Sequence, residues 1–167
     1  MHRYKCWNGP MPTTAAQASV ATGTTIKTML QVATPSTRQM TLLSWGFSFD
    51  DIVGANGVIE LLQTDVPATV TAHGASGVQP VDPNAPASLM TLGVAATGYT
   101  ATVEGTITAT RVFDAVSLDN SGDNSQAFRY QWMPDERPII PISKFLRVRA
   151  TTPTSGTNLR CWVCWDE

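Results

Sequence analysis

The sequence predicts an all-β protein: an antiparallel β-sandwich of the jelly-roll type that follows an extended N-terminal arm. Three observations indicate this fold class. Charged residues make up only 14% of the chain, and threonine, alanine, glycine, serine and valine take their place, which suits strands and turns more than helices. Short segments in which apolar and polar side chains alternate recur between clusters of turn-forming residues. Long runs of lysine, glutamate and leucine at helical spacing are absent.

The chain length of 167 residues predicts a single β-sandwich domain, which we place at residues 26–167 behind an arm at residues 1–25. A chain of this size buries roughly 70% of its unfolded surface, so it needs no covalent or metal staple to fold. The segment TTAAQASVATGTT, residues 13–25, is small and polar without periodicity. Such a segment lacks the apolar surface to pack by itself.

Two strands are predicted directly after the arm. In TIKTMLQV a two-residue period places Ile26, Leu30 and Val32 on one face, and the proline in ATPSTR ends the strand. The next segment, RQMTLLSWGFSFDD, resumes the period, and Gly46 within it predicts a bulge or a close backbone approach. The residues that share the inward face of this second strand are Thr41, Leu43, Trp45, Phe47 and Phe49.

The middle of the chain contains a strand, VIELLQT, and then about 40 residues, from Asp65 to Glu104, that are rich in turn signals. A structureless segment of this length is uncommon in a compact domain. We therefore expect short strands near residues 67–73 and 99–104 that frame an exposed loop between residues 74 and 97.

Four further strands are predicted in the last third of the chain, at residues 106–115, 128–133, 143–152 and 159–165. The turns SLDNSGDN, PDERPIIP and TPTSGTN separate them. In these strands and the earlier ones, the alternation places Trp45, Trp132 and Trp165 in the core and leaves Trp7 and Trp162 freer.

The motif RCWVCWDE raises the question of a metal or redox site. A redox CxxC needs a helix after its first cysteine, and the three residues that follow Cys164 leave no room for one. In an extended strand, residues three apart lie about 10 Å from each other on opposite faces, whereas two thiolates on one zinc lie within about 4 Å. We therefore expect Cys161 to be a small core residue and Cys164 an outward thiol, with no bound metal.

One arrangement keeps a zinc site open as an alternative. If the two chain ends lie close together, four residues from them supply a complete tetrahedral ligand set. These residues are His2, Cys6, Cys161 and Cys164. The odd number of cysteines, three, argues against a disulfide framework.

Catalytic patterns are weak, so we expect no enzyme and no cofactor. His73 lies next to GASG, which is one residue short of a nucleophile elbow and is typical of a turn. The strand carboxylates Glu60, Glu104 and Asp114 leave a sandwich hydrolase open, since glycosidases use two facing carboxylates. Solvated residues on the outer face are the favoured interpretation.

Arginine and aromatic side chains are the remaining surface feature. In the strand at residues 143–152 two arginines point outwards beside a phenylalanine, and a hairpin across TPTSGTN would bring residues 160 and 162 close to them. Such a set is typical of protein interfaces, with an ordinary solvated face as the alternative. The candidate contacts for a capsid or a second subunit are Trp7, Phe145, Arg147, Arg149, Arg160 and Trp162.

Charge and hydropathy exclude several partners. The net charge of −2 argues against nucleic acid, which needs a clustered basic surface. No apolar stretch reaches the 18 residues or so of a membrane span. The N-terminus MHRYKCWNGPMPTT has no apolar segment of the kind found in secretory signals, so we expect synthesis in a reducing host cytoplasm.

Three segments carry a resemblance to a known class of proteins: DVPATVTAHGASGVQPVDPNAPAS, GYTATVEGTITATRVFDA and ISKFLRVRATTP. Between Ile26 and Trp165 the chain resembles small virion proteins of tailed bacteriophages, especially those that infect actinobacteria, of the minor capsid or head decoration type. The resemblance implies a jelly-roll or related sandwich, without cofactors. It also implies oligomers, often homotrimers, that bind the major capsid protein lattice on the outside of the head and reinforce the shell.

The sequence therefore favours a structural virion protein on the capsid exterior that binds the capsid lattice and catalyses no reaction. Low charge, threonine-rich strands and the absence of an assembled active site are consistent with this function. The alternative is a carbohydrate- or cell-surface-binding β-sandwich module of a virion, because aromatic side chains on a sheet can stack against sugars.

Overall fold

The computed structural model describes residues 2–51, 53–120, 127–153 and 157–167, so the predicted turns SLDNSGDN and TPTSGTN lie partly outside the described residues. The described ranges contain thirteen strands and no α-helix, and Ala75–Gly77 and Pro134–Glu136 are single 3₁₀ turns. In chain order the strands are β1 Arg3–Trp7, β2 Val20–Ala21, β3 Ile26–Ala33, β4 Met40–Phe49, β5 Gly57–Thr64, β6 Thr69–Ala72, β7 Val78–Pro80, β8 Gly98–Val103, β9 Thr110–Leu118, β10 Ala127–Gln131, β11 Ile139–Ile140, β12 Phe145–Thr151 and β13 Asn158–Asp166.

Two antiparallel sheets pack face to face, which confirms the predicted all-β sandwich. Sheet A has the strand order β10–β4–β13–β1–β7, with β11 beside β4 and β2 beside β13. Sheet B has the order β6–β8–β3–β12–β5–β9. The strands β9 and β10 are edge strands of different sheets, and side chains from both line one open side of the sandwich, of which they form the two rims.

The core lies between the two sheets and is built from alternating inward side chains, as is typical of sandwiches. The predicted core tryptophans Trp45, Trp132 and Trp165 are all buried, which confirms the predicted faces of their strands. Facing them, sheet B supplies mostly aliphatic side chains. These are Leu30, Val32, Ile59, Leu61, Leu146, Val148 and Ala150.

The N-terminal arm at residues 1–25 was expected to be extended and unpacked, and this expectation is wrong for its first residues and also for β2, which pairs with β13 in sheet A. Strand β1 pairs with both β13 and β7 inside sheet A, and Tyr4 and Cys6 are buried in the core. Asn8 continues the pairing with its side chain, which donates to the carbonyl oxygen of Leu159 and accepts from the amide of Cys161, each at 2.8 Å. RYKCW alternates as a strand, but its five residues are too few for the pattern to distinguish them from a tail.

A bulge in β3 explains why one predicted inward residue is exposed. The pairing with β12 shifts between Val148 and Arg149, so Met29 is an extra residue in β3. Leu30 and Val32 face the core as predicted, but the extra residue reverses the inward–outward alternation of the side chains that precede it in β3. Ile26 therefore lies on the outer face of sheet B and is exposed.

Strand β4 contains both features that Gly46 was expected to indicate, at two different positions. The bulge lies at Leu43, where the register with β13 shifts, so that Leu42 rather than Leu43 joins the core cluster. The close approach is at Gly46 itself: a Cβ there would lie 2.6 Å from the carbonyl oxygen of Phe128 and 2.9 Å from the Trp162 ring.

The predicted strands of the middle and of the last third are present, but β9 ends at Leu118 rather than at residue 115 and β10 ends at Gln131 rather than at residue 133. β9 begins at Thr110 rather than at residue 106, because Asp65 holds the preceding residues. The amides of Thr108 and Ala109 donate to Oδ1 of Asp65 at 3.2 and 3.1 Å. The Thr108 hydroxyl also donates to Oδ2 of Asp65. This bond contributes most, together with the two amide bonds, to lowering the pKa of Asp65 to about 2.

The last two strands do not form the hairpin that was considered across TPTSGTN. β12 pairs with β3 and β5 in sheet B, whereas β13 pairs with β1 and β4 in sheet A. The chain crosses between the sheets after β12, so the outward residues of β12 and of β13 lie on opposite sides of the sandwich.

Candidate interaction surfaces

The two freer tryptophans lie together on the outer face of sheet A. Trp7 and Trp162 are direct register partners in β1 and β13, and their ring centroids are 6.3 Å apart. The ammonium group of Lys5 lies 4.5 Å from the Trp7 ring and 4.2 Å from the Trp162 ring. Both distances are in the range of cation–π contacts. Lys5, Trp7 and Trp162 are called the tryptophan surface below.

Small side chains on β4 make room for this surface. Trp162 lies over Gly46, and Ser44 lies on the same face of the strand. A depression of about 280 Å³ beside Trp162 and Lys5 is also lined by Arg129. Burial lowers the pKa of Lys5; the neighbouring Cys164 acts to raise it, and Arg129 to lower it.

Arg160 shares this face of β13, but it binds the chain's own residues. Its Nε donates to the carbonyl oxygen of Gln17 at 2.8 Å, and its guanidinium pairs with Asp50, which also accepts from the Ser19 hydroxyl. Arg160 therefore fastens residues 17–19 to the rim of sheet A. Its candidate role as a capsid contact is not needed to explain its position.

Arg147 was predicted to point outwards from its strand as a candidate contact, and only its direction agrees with the structure. It does lie on the outer face of sheet B, but its side chain is 0% exposed because residues 65–68 and 104–105 cover it. Its Nη1 donates to the carboxylate and to the carbonyl oxygen of Glu104, both at 3.1 Å, and its Nη2 donates to the carbonyl oxygen of Val66 at 2.5 Å.

The cover over Arg147 is itself fixed by hydrogen bonds. The Glu104 carboxylate accepts from the amide and hydroxyl of Thr28 at 2.5 and 2.6 Å. Gly105 has φ of 75°, and a Cβ there would lie 2.6 Å from the carbonyl oxygen of Pro67, so this turn requires glycine. Burial lowers the pKa of Arg147, against which the Glu104 charge acts.

The other two predicted contacts on β12 are partly buried. Arg149 binds Oε2 of Glu60 through Nε and Nη2, at 3.0 and 2.8 Å. Phe145 lies on the same side of the strand as Arg149 and is half-buried. The six predicted contacts are thus divided: Trp7, Arg160 and Trp162 lie on the outer face of sheet A, and Phe145, Arg147 and Arg149 on that of sheet B.

The strand interpretation of RCWVCWDE is confirmed. Cys161 is buried in the core, and Cys164 lies on the outer face of β13 opposite Lys5 of β1. Burial raises the pKa of Cys161 and of Cys6, so both remain thiols. Because Cys161 and Cys164 point to opposite faces, the considered set with His2 does not converge on one ion. Among the described residues no group of three or more His, Cys, Asp or Glu is placed to hold a metal.

The residues considered for catalysis have structural partners instead. His73 is buried, packs on Tyr99 with ring centroids 4.8 Å apart, and donates from Nε2 to the carbonyl oxygen of Trp7 at 2.8 Å. Glu60 and Glu104 each pair with an arginine. Asp114 faces the sandwich interior and accepts from Nε1 of Trp45 at 3.0 Å.

The predicted exposed loop contains a segment that sequence reasoning did not single out. Residues 81–94, called the aliphatic segment below, expose four side chains. The backbone is nevertheless held: Val81 donates to the carbonyl oxygen of Arg3, Leu89 to a carboxylate oxygen of Glu167 and Thr91 to the carbonyl oxygen of Ala33, at 2.8–3.0 Å. The exposed side chains are Val81, Leu89, Leu92 and Val94. Apolar residues within a turn-rich stretch were the available signal.

Comparisons with known proteins identify no relative. The chain matches no protein-family model, no curated protein and no solved structure. In the described part of the chain, no helix is long and apolar enough to cross a membrane.

Proposed function

We propose that this protein is a structural virion protein that binds and reinforces a phage capsid shell, as a decoration or minor capsid protein. It acts as a homo-oligomer, a trimer being the expected form, and catalyses no reaction. The observation that carries the proposal is the aliphatic segment, which presents apolar side chains to solvent on a fixed backbone.

The aliphatic segment has the properties of a preformed protein contact. Isolated exposed apolar residues are ordinary, but here four of them fall within 14 residues of one segment whose backbone is held. Because main-chain hydrogen bonds already fix this backbone, binding would cost little ordering entropy. Each contact can be weak, since a trimer that binds through three symmetric copies gains affinity through effective concentration.

Further support comes from how the polar residues are used. Glu60 and Glu104 pair with arginines, and His73 donates to a main-chain carbonyl oxygen. These partners give the three residues a role in holding the fold together, which is consistent with a protein that acts by binding. The low charged fraction of 14% also favours surfaces that contact other proteins.

The test is binding to capsids of the phage that encodes the chain. Heads prepared without this protein are mixed with the purified chain, and occupancy is measured by co-sedimentation. The double variant Leu89→Ser and Val94→Ser should lower the apparent affinity at least about tenfold, because both side chains would lose an apolar contact. The matched control is Val103→Ser with Val112→Ser, two exposed valines outside the segment.

Both double variants should fold, since surface substitutions usually change stability by about 0.5 kcal/mol or less. Native mass spectrometry of the unmodified protein should give a mass of three times 17.9 kDa without metal. A protein that does not bind such heads, or that stays monomeric on them, contradicts the proposal. An equal loss of affinity for heads in both double variants would show that the aliphatic segment is not the binding surface.

A further inference from the structure

An aromatic cleft opens at the side of the sandwich where β9 and β10 form the two rims. Its volume is about 320 Å³, within the lower part of the range of small-molecule sites. None of its lining residues belongs to the aliphatic segment, and Tyr130 also lines the depression beside Trp162, so the cleft adjoins the tryptophan surface at that residue. The lining residues are Phe113, Asp114, Phe128, Tyr130 and Trp132.

A bulge in β9 directs two consecutive side chains into the cleft. The pairing with β5 shifts between Leu61 and Leu62, so that Phe113 is an extra residue in the edge strand. In a regular strand Phe113 and Asp114 would point to opposite faces. Here both line the cleft, and such re-aiming by edge bulges is common beside functional sites.

The aromatic walls are held in place by the core behind them. Phe128 stacks on Phe47 with ring centroids 5.5 Å apart and packs against Trp45 at 5.3 Å. Tyr130 meets Trp132 edge to face at 5.2 Å and keeps 42% of its surface exposed. The cleft therefore presents an open ring on a supported wall, as a preorganised site requires.

Asp114 supplies one acceptor that the fold does not use. Its Oδ2 accepts from Nε1 of the fully buried Trp45, which satisfies that indole. Its Oδ1 accepts no hydrogen bond from any residue that the structure describes. A carboxylate oxygen in a cleft of aromatic rings is suited to hydroxyl donors, with which it forms short, strong hydrogen bonds.

We propose that this cleft binds a pyranose ring, with Tyr130 stacking against the sugar and Oδ1 of Asp114 accepting from its hydroxyls. The C–H bonds of a pyranose carry a small positive charge on hydrogen, and they pack favourably on the electron-rich face of an aromatic ring. Addition of a peptide strand is the weaker alternative, because the bulge at Phe113 interrupts the row of main-chain groups on that edge. The proposal is independent of capsid attachment and adds a glycan-binding activity to it.

The experiment is a titration of the full chain with a panel of methyl pyranosides, including glucoside, galactoside, mannoside and N-acetylglucosaminide. Binding is detected by saturation transfer to the sugar and by the shift of the Trp45 indole N–H signal. At least one sugar should bind, and Tyr130→Ala should weaken its binding about tenfold through loss of the stacking ring. Asp114→Asn should weaken it by a similar factor through loss of the charged acceptor.

Val112→Ala is the matched control, since this exposed residue precedes Phe113 in β9 but lies on the other face of sheet B. It should bind the sugar as the unmodified chain does. Tyr130→Ala should fold because its side chain is exposed, and circular dichroism checks this. The proposal is overturned if no pyranoside shifts the indole signal, or if Tyr130→Ala binds unchanged. Shifts of β9 and β10 amides by an extended peptide, with none by sugars, would identify strand addition instead.

Discussion

The two outer faces of the sandwich use arginine in opposite ways. On sheet B the Arg147 side chain is 0% exposed and bonded on two sides by Glu104 and Val66. On sheet A the Arg160 side chain keeps 34% exposure and pairs with Asp50 at the rim. Both side chains point away from the core, as strand alternation requires, yet one is part of a buried polar cluster and the other is partly solvated.

The difference lies in what covers each face. Residues 65–68 and 104–105 cross the outer face of sheet B and bring main-chain oxygens to the guanidinium of Arg147. On sheet A residues 17–19 reach Arg160 through the carbonyl oxygen of Gln17, but they leave its side chain partly exposed. The face of the sheet to which a side chain points is therefore set by its own strand, whereas the burial of that side chain depends on segments that are distant in the sequence.

The largest effect is expected from Arg147→Ala. The substitution leaves the Glu104 carboxylate and the carbonyl oxygen of Val66 without their cationic partner under the cover. Breaking a buried pair in this way costs about 3–5 kcal/mol in the free energy of unfolding. Urea denaturation, followed by tryptophan fluorescence, measures the change.

The control for this prediction removes both charges. Arg147→Met combined with Glu104→Gln should recover most of the lost stability, because no uncompensated charge remains under the cover. If Arg147→Ala alone changed the free energy of unfolding by less than about 1 kcal/mol, the cover would not be excluding water from Arg147, and the contrast between the faces would fail.

A smaller loss is expected from Gly46→Ala on the opposite face. The new Cβ would lie 2.6 Å from the carbonyl oxygen of Phe128, so β4 and β10 would have to separate slightly. Overpacking of this kind costs about 1–3 kcal/mol. The matched control is Gly74→Ala, where a Cβ would meet nothing within 4 Å. Equal melting temperatures for the two variants would contradict the close approach of the strands.

Local periodicity was enough to predict most of the strands. The alternation in LRCWVCW has no interruption, and β13 places Cys161 inwards and Cys164 outwards as expected. Where a bulge inserts a residue, the phase reverses, and Ile26 and Leu43 were misplaced for this reason. Bulges depend on pairing with a partner strand, which the residues of one strand do not reveal.

The candidate contacts were harder to predict than the fold. Grouping the arginines of β12 with Arg160 assumed a hairpin, but the chain crosses to the other sheet after β12. The aromatic cleft was also missed, because Phe113 and Asp114 are neighbours and only the bulge brings them to one side. FRYQWM had indicated that Tyr130 and Trp132 share a face, which was half of that site.

A pH-dependent effect is expected at His73, which joins sheet B to the strand that carries Trp7. Burial lowers the pKa of His73 below its usual 6.5, and the hydrogen bond to Trp7 only partly opposes this. The unfolded chain therefore binds more protons between the folded pKa and 6.5, so the free energy of unfolding falls as the pH is lowered through this window and stops changing with this group once the pH is below the folded pKa. His73→Gln should flatten the slope of urea midpoints between pH 7.5 and 5, whereas His2→Gln, at an exposed position, should keep it.

The smallest effect is expected from Arg160→Ala, the counterpart of Arg147→Ala on the partly solvated face. An ion pair that water reaches contributes only about 0–1 kcal/mol to the stability of the protein, because solvent screens the charges and the side chains lose entropy on pairing. The free energy of unfolding should fall by no more than this, and most of that fall should vanish in high salt, since an exposed pair is screened. Asp50→Asn is the control and should behave alike. A loss as large as that of Arg147→Ala would mean that Arg160 fastens residues 17–19 so firmly that both faces depend on their arginines equally.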